Sequence, residues 1–186
     1  MKKNIASLLL MALAAVFTLS LQSCSDDQEI GMNLEGTWRG YMDIWNKYGG
    51  QEYMSTYSEI CFTTDPFKYK SGDGYWVDYY QDHPWGPNEY VANHIQWRVS
   101  AQVIYIHFIE ENTDIQIHNY RLSDNYFTGE IYLDNRTAQF RLQHTSSPYW
   151  DDYDYGYFYY GYAKSNGNVT PPEAPRRFLG TVVNGK

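Results

Sequence analysis

Two neighbouring stretches, residues 103–109 and 114–120, alternate apolar and polar side chains on either side of Glu110-Glu111-Asn112-Thr113, a pattern that points to an antiparallel hairpin. Pairing Ile109 with Asp114 places Ile104, Ile106, Phe108, Ile115 and Ile117 on one face. Tyr105, His107, Gln116 and His118 fall on the other. Strand side chains repeat with period two, so a one-residue slip would mix the two sets. Residues 92–100 join the same sheet through a tight turn at Ala101-Gln102. They add Ile95, Trp97 and Val99 to the apolar face and turn His94, Gln96 and Arg98 away from it. Residues 126–133 and 138–144 repeat the logic across a four-residue turn. Leu133 then faces Ala138, Ile131 faces Phe140 and Gly129 faces Leu142, with Glu130 against Arg141 and Thr128 against Gln143 on the reverse side. Leu122 is out of phase with Ile115 and Ile117, which predicts a bulge near Asn119 or Tyr120.

Composition agrees with strands elsewhere. The chain carries 20 Tyr, 6 Trp and 8 Phe, residue types that suit a pleated, half-buried surface. No apolar repeat at helical spacing persists after the N-terminal region. Turn signals recur at Lys47-Tyr48-Gly49-Gly50, Asp65-Pro66, Ser71-Gly72-Asp73-Gly74, Ser123-Asp124-Asn125 and Asp134-Asn135-Arg136. Adding residues 36–44, 53–63, 67–70 and 75–80 predicts about nine sequential antiparallel strands. Short connections and one apolar face predict an all-β fold, a single up-and-down barrel of about 8–9 strands, because closure removes exposed edges.

The N-terminus carries an address. Lys2 and Lys3 precede an apolar run over residues 5–19, followed by Leu21-Gln22-Ser23-Cys24. The run is too short to be read as a spanning helix and has the layout of a secretory signal. Leu21-Gln22-Ser23-Cys24 resembles the lipobox of bacterial lipoproteins, which implies removal of residues 1–23 and lipidation of Cys24. Ser25-Asp26-Asp27-Gln28-Glu29 resembles the acidic export tract of Bacteroidetes-type surface lipoproteins, although a solvated spacer accounts for it equally. Residues 24–33 are therefore expected to be a flexible tether. The expected location is the outer membrane, as a lipoprotein exposed at the cell surface. Loss of Lys2 and Lys3 takes the formal charge from −8 to about −10. An acidic chain with no basic stripe is not a nucleic-acid binder. With Cys24 lipidated, Cys61 is the one remaining thiol, so a disulfide framework is excluded. Its strand-like setting predicts a buried, inert side chain.

Leu34-Glu35-Gly36-Thr37-Trp38-Arg39-Gly40 is similar to the Gly-x-Trp opening of lipocalin-like (calycin-type) proteins. Gly74-Tyr75-Trp76-Val77-Asp78-Tyr79-Tyr80 and residues 120–129 look like segments of lipocalin-like lipoproteins of Bacteroidetes type. The resemblance spans residues 34–145 and implies that Trp38 plugs the closed end of the barrel, with an arginine packed across it. Arg141, the available arginine, faces outward in the register above. The barrel with an aromatic C-terminal strap is assigned to residues 34–162, the strap being the Tyr-rich stretch from Tyr149 to Tyr162. Residues 163–186 read as a loose tail.

Candidate chemistry is sparse. His107 and His118 share a face, but no third and fourth ligand accompanies them, so no metal site is assigned. Asp151, Asp152, Asp154 and Gly156 lack the alternation and distal Glu of a calcium loop. No nucleophile elbow, zinc motif or phosphate loop occurs, and carboxylate neighbours such as Asp78 and Asp82, or Glu110 and Glu111, do not by themselves define an acid–base pair. The chain is read as non-enzymatic, with no cofactor. The strongest lead is the loop over residues 81–90, long for a meander and stiffened by Pro84 and Pro87. Trp85 and Tyr90, with Trp76, Tyr79 and Tyr80, are expected to line a barrel mouth for a small apolar or glycan ligand. The rival expectation is that Trp85 only covers the barrel end. A different class of function, a protein-interaction or inhibitor module of an envelope complex, would use the Tyr-rich C-terminal surface.

Overall fold

The computed structural model describes residues 26–81, 89–134, 136–148, 153–155 and 176–180. The described strands are β1 (Gly36–Tyr41), β2 (Ile44–Tyr48), β3 (Gln51–Met54), β4 (Tyr57–Thr64), β5 (Ser71–Tyr79) and β6 (Tyr90–Ser100). They continue with β7 (Val103–Phe108), β8 (Thr113–Leu122), β9 (Tyr126–Leu133), β10 (Arg136–Ser146) and β11 (Arg176–Leu179). A closed antiparallel barrel forms in the order β1-β10-β9-β8-β7-β6-β5-β4, and a separate sheet has the order β11-β2-β3. The all-β barrel predicted from alternation is therefore present, with a hairpin inserted between its first two strands.

Several boundaries differ from the sequence expectation. The strand predicted over 36–44 breaks where Asp43 takes a φ of 51°, which lets β2 leave the barrel. The strand predicted over 53–63 is interrupted between β3 and β4. Residues 67–70, predicted as a strand, form a turn instead. Asp65 organises it: its carboxylate accepts from Phe67 N at 2.9 Å and its carbonyl from Tyr69 N at 2.9 Å. This local capture by an Asp side chain is the usual reason such residues favour turns over ladders.

Both predicted hairpins pair two residues away from the expected register. Ile106 faces Ile115, and Ala138 faces Ile131. The β7–β8 turn contains Asn112 at a φ of 50°, and the β9–β10 connection begins with Asp134 at 47°, left-handed conformations that Asn and Asp tolerate. A shift of two keeps every side chain on its predicted face, so the apolar set still points inward. It does dissolve the expected Glu130–Arg141 pair: Glu130 faces Gln139 and Arg141 faces Thr128. The register break between His118 and Arg121, with Asn119 at a φ of 49°, lies where the phase of Leu122 predicts a bulge.

A helix over residues 26–34, α1, replaces most of the expected tether. Asp27 is buried and accepts from Gln102 N at 2.9 Å and Ala101 N at 3.1 Å. These amides belong to the tight β6–β7 turn, whose residues have φ values of 51° and 61° and so leave their N–H groups outside the ladder. A carboxylate that satisfies two turn amides gives this acidic stretch a reason to fold. Trp38, 1% exposed, packs at this closed end and donates from Nε1 to the Leu34 carbonyl at 2.8 Å. Phe127 and His144 lie against it at ring separations of 5.8 and 4.8 Å. Arg141 stacks instead over Tyr126 on the outer surface. Tyr120 points in beside the bulge, and burial pushes its hydroxyl up to about 12, with Asp27 adding to the shift.

The interior is filled by aromatic edges as well as aliphatics. Phe62 meets Trp97 and Phe127 edge-on, and Phe127 meets Phe140 in the same way. Such contacts combine large apolar burial with favourable ring quadrupole geometry. Cys61 is buried, as its apolar setting predicts, but on the outer face of the barrel with Tyr75, Val77 and Ala92.

Candidate ligand site at the barrel mouth

The end of the barrel opposite α1 is built around β5. Its alternation sends Trp76 and Asp78 inward, with Tyr80 following in phase, while Tyr75, Val77 and Tyr79 point out. A carboxylate inside an apolar barrel requires compensation, and Asp78 has it. Its Oδ1 accepts from Ser58 Oγ at 2.6 Å and from Trp76 Nε1 at 2.8 Å. Its Oδ2 lies 2.7 Å from Nη2 of Arg177, and both side chains are at most 2% exposed. Arg177 belongs to β11, in a region expected to be a loose tail. Its guanidinium also stands 3.4 Å from Glu111 Oε1 and lies over the Phe108 ring at 4.2 Å and the Trp76 ring at 5.8 Å. Asn93 Nδ2 donates to the same Glu111 oxygen at 2.8 Å.

The sheet β11-β2-β3 covers this end. β11 pairs with β2 from Arg176–Lys47 to Leu179–Ile44, and Leu179 enters the barrel core. Asn46 of β2 donates to the Tyr80 hydroxyl at 2.8 Å. The mouth is thus a covered barrel end in which an aromatic wall and two carboxylates pack around one cationic side chain.

Residues 34–129 match the model of the lipocalin-like domain. The chain belongs to that family. No curated protein and no solved structure matches the chain. A lipocalin-like barrel is typically a small-ligand binder and not an enzyme.

In this lipocalin-like protein the four described residues of the five expected to line one mouth do not converge. Trp76 and Tyr80 are buried at the inner end. Tyr79 and Tyr90 lie on the outer face, where Tyr79 stacks on Tyr57 at 4.3 Å and its hydroxyl meets that of Tyr153 at 3.0 Å. Burial raises the Tyr79 hydroxyl above the ordinary phenol range. Trp85 lies outside the described residues, as does Cys24. Tyr153 and Tyr155 pack over Cys61, Tyr75, Val77 and Ala92. Beneath them Glu59, itself buried, accepts from Arg39 Nη2 at 2.6 Å, from Tyr75 at 3.0 Å and from Tyr153 at 3.3 Å. The aromatic outer face is therefore cross-linked by hydrogen bonds around one carboxylate.

His107 and His118 bond to Asp114 and Gln116 of their own sheet. Away from the mouth, an open groove of about 1390 Å³ passes Asp65, Arg98, Tyr105, His107, Asp114 and Tyr132. Its side chains satisfy one another at the surface, as Arg98 does over Tyr105 at 4.1 Å. The mouth differs in holding charge in a dry setting. Asp78, Glu111 and Asn93 were the residues the expected ligand set missed, together with Arg177. The available signal was phase: Asp78 sits two residues from Trp76 on a strand whose inward positions are otherwise apolar.

Proposed function

We propose that this protein is a lipid-anchored, non-enzymatic binding protein of the cell envelope that takes a small ligand at the barrel mouth. The observation that carries the reading is the buried Asp78–Arg177 pair beside Trp76. Polar groups fixed against aromatic walls at the end of a barrel are how small-molecule sites obtain orientation as well as affinity. The family supports small-ligand binding. The ligand is apolar or a glycan, and Trp85, which falls between β5 and β6 in the sequence, is the proposed added stacking surface. Titration of apolar compounds and glycans against tryptophan emission tests this. Trp85→Ala is expected to weaken binding by roughly 5- to 150-fold, the worth of an aromatic anchor, with little change in melting temperature. A variant that melts early, in a protein whose emission answers no ligand, would sink the mouth reading. The interaction module at the Tyr-rich surface would then lead, supported by Tyr153 and Tyr155 already organised on the outer face.

The anchor is Cys24, and the layout of residues 2–24 supports an outer-membrane lipoprotein at the cell surface. In the sequence Cys24 lies two residues before Asp26, from which α1 is described. Because α1 packs on the closed end, lipidation there sets that end toward the bilayer and the mouth away from it. Cys24→Ala should move the protein out of the membrane fraction or leave it as precursor, since acyl chains supply the affinity. Unchanged membrane retention with normal lipid labelling would overturn the anchor.

A further inference from the structure

We propose that the mouth is a recognition site for a guanidinium or ammonium headgroup on a short apolar body, and that Arg177 occupies it as a built-in stand-in. The inference rests on the mouth-binding reading and adds the ligand's chemistry. Three features of Arg177 point to it. Its guanidinium is held by Asp78 at 2.7 Å and Glu111 at 3.4 Å. Phe108 presents a ring face to it at 4.2 Å, the geometry in which aromatics attract cations. Ser58 holds the Asp78 carboxylate through Oδ1 and leaves Oδ2 to the cation, while Asn93 steadies Glu111 through the same oxygen that faces the cation. The site therefore offers a cation carboxylate charge and an aromatic face together.

The stand-in sits on an element that can leave. β11 pairs with β2 in the covering sheet and with no barrel strand. Its further ties include the Leu179 side chain in the barrel core, Phe178 against Trp45 and Arg136, and two hydrogen bonds: Arg136 Nη1 donates to the Leu179 carbonyl at 3.3 Å, and Gly180 N donates to the Asp43 carbonyl at 3.0 Å. Its departure opens no edge of the closed barrel. A buried ion pair contributes little net stability, whereas a buried carboxylate without its cation is strongly unfavourable. Exchange of Arg177 for a ligand cation keeps Asp78 compensated throughout and returns Arg177 to water. The docked strand then lowers the apparent affinity by the fraction of time the site is closed.

The test uses the full chain with n-butylguanidinium as probe and n-butylurea as its uncharged counterpart. In the wild type, butylguanidinium should increase amide hydrogen exchange at residues 176–179, and butylurea should not. Arg177→Ala should bind butylguanidinium at least about tenfold more tightly than the wild type, and Asp78→Asn should lose that binding. If Arg177→Ala does not fold unaided, restoration of its cooperative melt by butylguanidinium but not butylurea supports the proposal. Equal effects of the two probes, or none from either, overturn it. Quenching of tryptophan emission by neutral apolar compounds or glycans, with no preference for guanidinium, refutes the cation site and leaves the mouth reading intact. No response to any of these classes refutes both.

Discussion

Trp38→Ala is expected to lower the unfolding free energy by about 3–5 kcal/mol, the cost of removing a large aromatic from a packed core. Trp38 is 1% exposed and touches Phe127 and His144, so its loss leaves a hole ringed by rigid aromatics that cannot collapse into it. Its Nε1 donation to the Leu34 carbonyl also ties the end of α1 to β1. Removing that bond leaves a buried carbonyl wanting a donor, which adds to the cost. Urea unfolding monitored by circular dichroism should show a lower midpoint with an unchanged slope. Trp38→Phe should fall between the two, keeping most of the packing while losing the bond. A loss of less than about 1 kcal/mol for the alanine variant would mean that the closed end is not plugged by this ring.

Asp78→Ala should be comparably damaging, by about 3–5 kcal/mol, because it strands a buried guanidinium. Arg177 would lose its nearest carboxylate and be left with Glu111 at 3.4 Å beside the Phe108 ring, and Trp76 Nε1 and Ser58 Oγ would lose their acceptor. Replacing both charges, Asp78→Leu with Arg177→Met, is expected to cost less than the sum of the two single changes, since neither member of the pair is left stranded, although Trp76 Nε1 and Ser58 Oγ still lose their acceptor and Glu111 loses its cation. A double-mutant cycle measures the coupling directly. Small, additive single effects would show that the pair is hydrated, contrary to its burial. The proposed cation exchange at the mouth draws on the same asymmetry, since it replaces the cation without leaving Asp78 unpaired.

Much of the barrel was legible from phase alone. Ile104, Ile106, Phe108, Ile115, Ile117, Ile131 and Leu142 all point inward as alternation predicts. The prediction survived a register error of two in each hairpin because a shift by an even number leaves faces unchanged. The bulge near Asn119 was legible for the same reason: the chain must change phase before Leu122. The ligand-lining set fared differently. Trp76, Tyr79, Tyr80 and Tyr90 are close in sequence or across one loop, yet strand alternation sends them to opposite faces, and aromatic content carries no sign of which face is wet.

The sequence by itself determined the class of fold, the inward apolar set and the Gly36-x-Trp38 opening, because each depends on a local period or a short spacing. Only the tertiary structure decided that residues 26–34 form a helix, since the reason is a turn at Ala101-Gln102 that supplies two amides to Asp27. Only it decided that Arg176–Leu179, expected within a loose tail, forms a strand over the mouth. The charge of Arg177 finds its partner Asp78 across 99 residues of chain (177 − 78). Contacts between residues that distant are selected by closure of the barrel, which brings β5 and the covering sheet together. No periodicity along the chain encodes them.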